Sequence, residues 1–287
     1  MLVEHYNMKK IDLHCHTTAS DGIKSPSSLI DYAITCGVGV LAVTDHDTIG
    51  GLEEAVDYAS GKDITLISGI EFSIDFPDGS FHLLGFGFNH KYSSLCEKTL
   101  YLQQVRDTRI YRIIEDLARN NIYIPVEDVL QESNGGAAGR PHVARTLVRH
   151  GYARDINEVF QKYLVKGKPG YVAKERISLD EAVSLIKGAG GIAVIAHPVS
   201  IKYRDFGVFE SMLRGFIDAG VEGIEAYSSM HRTSEVKKFL ELAGRYNLIV
   251  TGGSDYHGDK NEVIGHYQPD TPIPFEIFEN LVSRIKK

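Results

Sequence analysis

Five short apolar runs in this chain hand over directly to a histidine or a carboxylate, and that repetition limits the available folds more than any other feature. Ile11-Asp12-Leu13 leads into His14-Cys15-His16, with Asp21 five residues further on. Val38 to Thr44 ends in Asp45-His46-Asp47, and Ile64 to Ser68 ends in Gly69-Ile70-Glu71. Gly190 to Ala196 ends in His197-Pro198, and Leu248 to Ser254 ends in Asp255-Tyr256-His257. Helical signals lie between the runs. Ser25-Pro26 reads as an N-cap and first helical residue ahead of an apolar face of Leu29, Ile30, Ala33 and Ile34. Ser178 to Glu181 matches a capping box. Strands alternating with helices form parallel sheets, whose C-terminal edges collect the chemistry whether the sheet is open or closed. Groups spread over so many strands meet more readily around a closed barrel. The expected fold is therefore an α/β barrel, with an open three-layer sheet as runner-up.

The middle of the chain has a different texture. Leu102, Val105, Arg109, Ile113 and Leu117 recur at helical spacing with charges between them, and further helical patterns follow to Leu164. Expected boundaries are 1–97 for the first part of the barrel, 98–167 for a helical insert and 168–287 for the second part. Glu71 to Phe88 reads as a meander turning at Pro77-Asp78-Gly79, with His82 opening an apolar strand. Gly135-Gly136 gives the insert backbone freedom.

A formal charge of −7 argues against a nonspecific nucleic-acid coat, but not against a nucleotide or strand end in a local pocket. Three cysteines without a CxxC pair point to a reducing compartment, and no apolar run approaches the ~18 residues of a membrane span. With no signal segment at the start, the expectation is a cytoplasmic protein. No obligate protein partner is evident, and Lys166, Lys168 and Lys174 read as facing solvent or, alternatively, as meeting a second phosphate.

Strand side chains two apart share a face, so His14 and His16 can converge on one ion. Neutral imidazole suits zinc, iron and manganese. Taken singly, His46 reads equally as a helix cap, His197 as a turn residue and His82 as an ordinary strand side chain. Together with Asp21, Glu71, Asp255 and His257 they make a set sufficient for two or three ions. Buried carboxylates such as Glu71 and Asp255 also require a cation or donor.

Asp12 to His16, Thr44-Asp45-His46, Gly69-Ile70-Glu71, His82-Leu83-Leu84-Gly85, Ala196-His197-Pro198 and Ser254 to His257 follow one another in a recognisable order. Over most of its length the chain resembles the PHP family, the polymerase and histidinol phosphatase superfamily of metal-dependent phosphoesterases. The resemblance implies a distorted (β/α)7 barrel with an inserted small helical subdomain. It also implies two or three divalent ions, manganese, zinc or iron. His14, His16, Glu71 and Asp255 would hold the first, Asp21, His46 and His257 the second, and Glu71, His82 and His197 the third. Some relatives carry histidine where this chain has Asp21. The implied chemistry is in-line attack on a phosphomonoester by metal-activated hydroxide.

Gly139-Arg140-Pro141-His142 lies within the expected insert. Arginine offers a planar fork for phosphate, and a proline-started helix leaves N–H groups facing an anion, although an ordinary surface turn reads the same way. The motif is similar to that of the 3′,5′-nucleoside bisphosphate phosphatases and related 5′-to-3′ exoribonucleases. This implies a phosphorylated nucleotide or short 5′-phosphorylated RNA end as partner, with Arg140, His142 and Glu71 serving catalysis. Tyr227 and Ser228, beyond Glu225, are expected to line the same cleft or to pack. A histidinol-phosphate-type phosphatase is the alternative enzyme. A polymerase-associated module is disfavoured because no polymerase-sized region accompanies the sequence.

Overall fold

In the computed structural model, which describes residues 9–77, 79–133, 138–258 and 262–285, seven strands pair in chain order within one sheet. They are β1 (Lys10–Cys15), β2 (Val38–Val43), β3 (Thr65–Ile74), β4 (Phe81–Phe86), β5 (Ile192–Ile195), β6 (Gly223–Ser228) and β7 (Ile249–Gly253). Neighbours are parallel except around β4, which runs antiparallel to both β3 and β5. Beyond β7 a bridge joins Cys15 to Tyr256, bringing the two edges of the sheet together. The result is a near-closed barrel distorted at β4, so the open sheet is set aside.

The helices are α1 (Pro26–Thr35), α2 (Leu52–Ala59), α3 (Ser93–Arg119), α4 (Val126–Glu132), α5 (Arg140–Arg149) and α6 (Ile156–Val159), the last running into a π-helical turn at Phe160–Leu164. They continue with α7 (Leu179–Gly188), α8 (Phe206–Asp218), α9 (Thr233–Tyr246) and α10 (Glu276–Ile285); β8 (His266–Gln268) and β9 (Thr271–Pro272) form a separate small hairpin. Two expected caps are present: Ser25 accepts from the Ser28 N–H and Ser178 from the Glu181 N–H. No helix among the described residues is long and apolar enough to cross a membrane.

Strand alternation separates two apolar layers. On β5 and just past it, Ile192, Val194 and Ala196 join an inner cluster with Ile11, Leu13, Val40, Ala42, Leu84 and Phe86, closed off by Ile277 and Leu281 of α10. Ala193 and Ile195 face the outer cluster, which includes Leu29 and Ile30 of α1 and Phe209 and Phe239 of α8 and α9. The helices of the insert have a core of their own, including Ile113, Leu117, Val129, Val143, Leu147 and Leu164. Fully burying one such side chain stabilises by about 1.5–3 kcal/mol.

Three local departures from the sequence reading bear on the site. β3 does not end at Ser68: it pairs with β2 up to Ser68, then with β4 from Gly69 to Ile74, so Glu71 lies inside a strand. It still stands beyond the end of β2 because β3 outruns that neighbour. Gly69 permits the exchange, since a Cβ there would sit 2.6 Å from the Val43 carbonyl oxygen. The second part of the barrel, expected from residue 168, opens with no strand: residues 171–176 are irregular. β6 extends through Ser228, so Tyr227 and Ser228 are strand residues. The expected turn residue Asp78 and the Gly135-Gly136 pair lie outside the described residues.

Candidate metal centre

β1 takes three steps from Asp12 to Cys15 while β2 takes two from Leu41 to Val43. Such a bulge reverses the alternation, so Leu13 belongs to the inner apolar layer and His14 above it still faces the site. At the other edge a Cβ on Gly253 would lie 2.1 Å from that of His14, so only glycine lets β7 approach this closely. Asp255 lies two residues on, and backbone hydrogen bonds between His14, His16 and Tyr256 hold the two segments together.

Glu71, fully buried, sits among five imidazoles. Its Oε1 is 2.9 Å from His82 Nδ1 and 2.9 Å from His197 Nε2. Its Oε2 is 2.9 Å from His46 Nδ1 and 3.4 Å from both His14 Nε2 and His16 Nε2. Asp255 Oδ1 lies 3.3 Å from His14 Nε2 and 3.2 Å from His16 Nε2. On the outer side Asp21 stands 3.5 Å from His257 Nε2 and 3.9 Å from both His46 Nε2 and His16 Nδ1. All nine groups expected from sequence are thus brought to one place.

Burial opposes ionisation of Glu71, but His46, His82 and His14 hold its carboxyl well below the ordinary range. Asp255 behaves alike: burial opposes, and His14 and His16 prevail. His16, desolvated and beside His257, is pushed down to about 3, whereas His257, against its burial, is carried up to about 10 by Asp21 and Asp255.

Four buried atoms here have no hydrogen-bond partner: His14 Nε2, Asp21 Oδ1, His46 Nδ1 and Glu71 Oε2. His46 Nδ1 and Glu71 Oε2 are close without the geometry of a hydrogen bond, so their lone pairs face a third point. Each buried polar atom left so costs about 1–3 kcal/mol, and several together call for a cation. Donor atoms converge in three overlapping groups: His14, His16, Glu71 and Asp255; His16, Asp21, His46 and His257; and His46, Glu71 and His82. The residues therefore fit one or more divalent ions, and a mixed imidazole and carboxylate set suits zinc, manganese and iron. His197, which the sequence reading groups with Glu71 and His82, brings its Nε2 to 2.9 Å from Glu71 Oε1, the same oxygen that His82 Nδ1 meets at 2.9 Å.

Facing these ligands across an open cleft of about 250 Å³ are Arg106, Arg109, Arg140, Lys174 and Arg176. Arg109 is fixed by two hydrogen bonds to the Val172 carbonyl, 3.0 and 2.7 Å long. Burial, then Arg140 and Arg106, push it down to about 10. Lys174, read as facing solvent or a second phosphate, lines the cleft, where it meets Asp47 at 2.7 Å and also contacts Ser73. Arg140 heads α5 beside Phe160 and reaches the Leu164 carbonyl at 3.5 Å. His142 is buried, and its Nδ1 accepts the Gly139 N–H at 2.8 Å, which leaves its ring proton on Nε2. Burial, then Arg145, pushes it down to about 4. Tyr227 packs on Tyr267 and Ser228 is fully buried; neither lines this cleft.

Sequence reasoning missed Arg106, Arg176 and the cleft role of Arg109. The signal was the three-residue spacing of Arg106 and Arg109, which places both on one face of α3. It also missed Glu225, buried under the ligands and within 2.9 Å of His14 Nδ1.

The PHP domain model matches residues 12–173. A 3′,5′-nucleoside bisphosphate phosphatase from Chromobacterium violaceum is 36% identical over 283 residues, covering 97% of this chain and 98% of the relative. A 5′-3′ exoribonuclease from Escherichia coli strain K12 is 33% identical over 252 residues, 86% of this chain and 84% of that one. The solved structure of an amidohydrolase from Chromobacterium violaceum, with bound sulfate and no metal, superposes with a TM-score of 0.82 at 34% identity over 96% of each chain. The order of the motifs, the barrel that gathers them and these relatives converge: the chain belongs to the PHP family of metal-dependent phosphoesterases.

Proposed function

We propose that this enzyme removes the 3′-phosphate of nucleoside 3′,5′-bisphosphates and also trims short RNA from a 5′-phosphorylated end. One observation carries the reading: a ligand cluster suited to cations faces a wall of five cations across a single cleft. A substrate with one phosphate to be cleaved and another to be held matches both sides. The relatives named for bisphosphate and RNA-end chemistry support that choice over a histidinol-phosphate-type substrate.

His14, His16, Glu71 and Asp255 would hold one ion, Asp21, His46 and His257 a second, and Glu71, His82 and His197 a third, with Glu71 shared. Such ions supply a water of lowered pKa and neutralise the charge of an in-line displacement. Arg140 offers its fork to the phosphate that is held, and His142 has one donor, Nε2–H, to give. Arg109, fixed by Val172, contributes positive charge without having to be ordered on binding. Asp47 anchors Lys174 at the barrel side of the same wall. His14, Asp21, His46 and Glu71 lose their unpaired atoms once ions are held. The three free cysteines suit a reducing compartment, and we assign the enzyme to the cytoplasm.

The test is a product assay on adenosine 3′,5′-bisphosphate, a 5′-phosphorylated oligoribonucleotide and histidinol phosphate, using metal-loaded protein. Release of phosphate from the first, and of mononucleotides from the second, is the expected result. Turnover of histidinol phosphate alone overturns the substrate assignment.

A further inference from the structure

Glu225 lies in β6, 1% exposed, directly beneath the ligand cluster. Each of its oxygens meets one nitrogen: Oε1 is 2.9 Å from His14 Nδ1, and Oε2 accepts the His197 backbone N–H at 2.7 Å. The two histidines come from opposite sides of the cluster, one on β1 and the other just past β5. Glu225 thus reaches two ligand residues, whereas Glu262 holds the backbone N–H of His257 together with that of Gly258. Asp12 holds the Ser254 and Gly265 amides with that of His14, and Asp45 holds Thr17 and Ser20.

Both contacts decide where a ligand nitrogen points. An imidazole that donates from Nδ1 presents a lone pair at Nε2, and His14 Nε2 is the unpartnered atom between Glu71 and Asp255. His197 has φ +21° and ψ 67°, a conformation that a residue with a side chain adopts only when its surroundings hold it. Glu225 provides such a hold, and the turn it fixes carries His197 Nε2 to Glu71.

We infer that Glu225 is a positioning residue that sets the affinity of the centre for its ions, by fixing the tautomer of His14 and the turn at His197. The inference rests on the metal-centre reading. A glutamine has nearly the same shape but only one acceptor oxygen. It must turn its NH₂ toward the His197 N–H, or toward His14 and force that ring to carry its proton on Nε2.

The experiment compares wild type and Glu225→Gln, both stripped of metal, by titrating Mn²⁺ and Zn²⁺ against a chromophoric chelator. The variant is expected to bind roughly 10- to 100-fold more weakly, with the melting temperature of the metal-free protein nearly unchanged. Equal affinity in the two proteins overturns the inference, as does an affinity loss matched by an equal loss of metal-free stability. If the variant does not fold, nitrogen-15 histidine spectra of zinc-loaded wild type decide: a proton on His14 Nδ1 is expected, and a proton on Nε2 overturns it. Failure of the wild type to bind either ion is a separate result that removes the metal centre itself.

Discussion

On the barrel side of the cleft, histidines and carboxylates crowd so closely that Glu71 touches five imidazoles. On the insert side, Arg106, Arg109, Arg140 and Arg176 make no ion pair among the described residues, and Lys174 alone has a carboxylate, Asp47. The first surface is left with buried lone pairs and the second with unbalanced positive charge. Each wall is incomplete in a way the other cannot repair, since their groups meet only across the cleft. A cation completes one and an anion the other, which is the division expected of a site that holds ions and a phosphate at once.

Removing the hub of the barrel wall should have the largest effect. Glu71→Ala takes a carboxylate from two converging groups, and the phosphatase rate should fall by about 10³-fold or more, well beyond the 10–100-fold typical of outer supporting residues. Metal analysis of the purified variant should show fewer bound ions; wild-type content would refute the shared role. Arg140→Ala attacks the opposite wall. It should lower kcat/KM for a bisphosphate by roughly 10–100-fold, the range of a lost charged hydrogen bond, mainly through KM and with metal content unchanged. An equal loss on a simple aryl phosphate would show that Arg140 does not serve the held phosphate.

Salt should separate the walls more gently. Raising ionic strength from about 0.05 to 0.5 M screens the partly exposed cations and should reduce kcat/KM several-fold through KM, while bound metal stays constant. A salt-independent KM would argue against electrostatic capture. The smallest effect concerns His142. Its folded pKa, about 4, lies below the 6.5 of a free histidine, so the unfolded chain binds the extra proton. Stability from this group is full above about pH 6.5 and is lost as pH falls toward 4, amounting to about 1 kcal/mol near pH 5.5. His142→Asn keeps an acceptor for the Gly139 amide and should flatten that part of the curve in denaturant melts. An unchanged slope would mean that His142 does not titrate in this way.

The barrel wall was legible in sequence because strand ends are marked twice, by an apolar run and by the polar group that follows. His14, His46, His197 and Asp255 all carry that double mark. Glu71 carried it imperfectly, since the change of partner at Gly69 has no signature in the alternation of β3. The insert wall was mostly illegible. Arg106 and Arg109 look like the polar face of any amphipathic helix, and nothing in their spacing shows that this face lines the ligand cleft or that Arg109 is held by the Val172 carbonyl. Glu225 was hidden differently: a carboxylate in a short strand looks like a solvent-facing position until the barrel closes above it.

The bridge between Cys15 and Tyr256 has a consequence for how the protein is made. His16 and Asp255, 3.2 Å apart in the folded chain, are 239 positions apart in sequence. Contacts this remote close late, after the loops between them have given up their freedom. A ribosome must release β7 before the centre has all its ligands, since Asp255 and His257 follow that strand. Two of the three ligand groups need Asp255 or His257, so a chain truncated before residue 255 should bind fewer ions, and more weakly, than the whole chain, while His46, Glu71 and His82 stay within its reach.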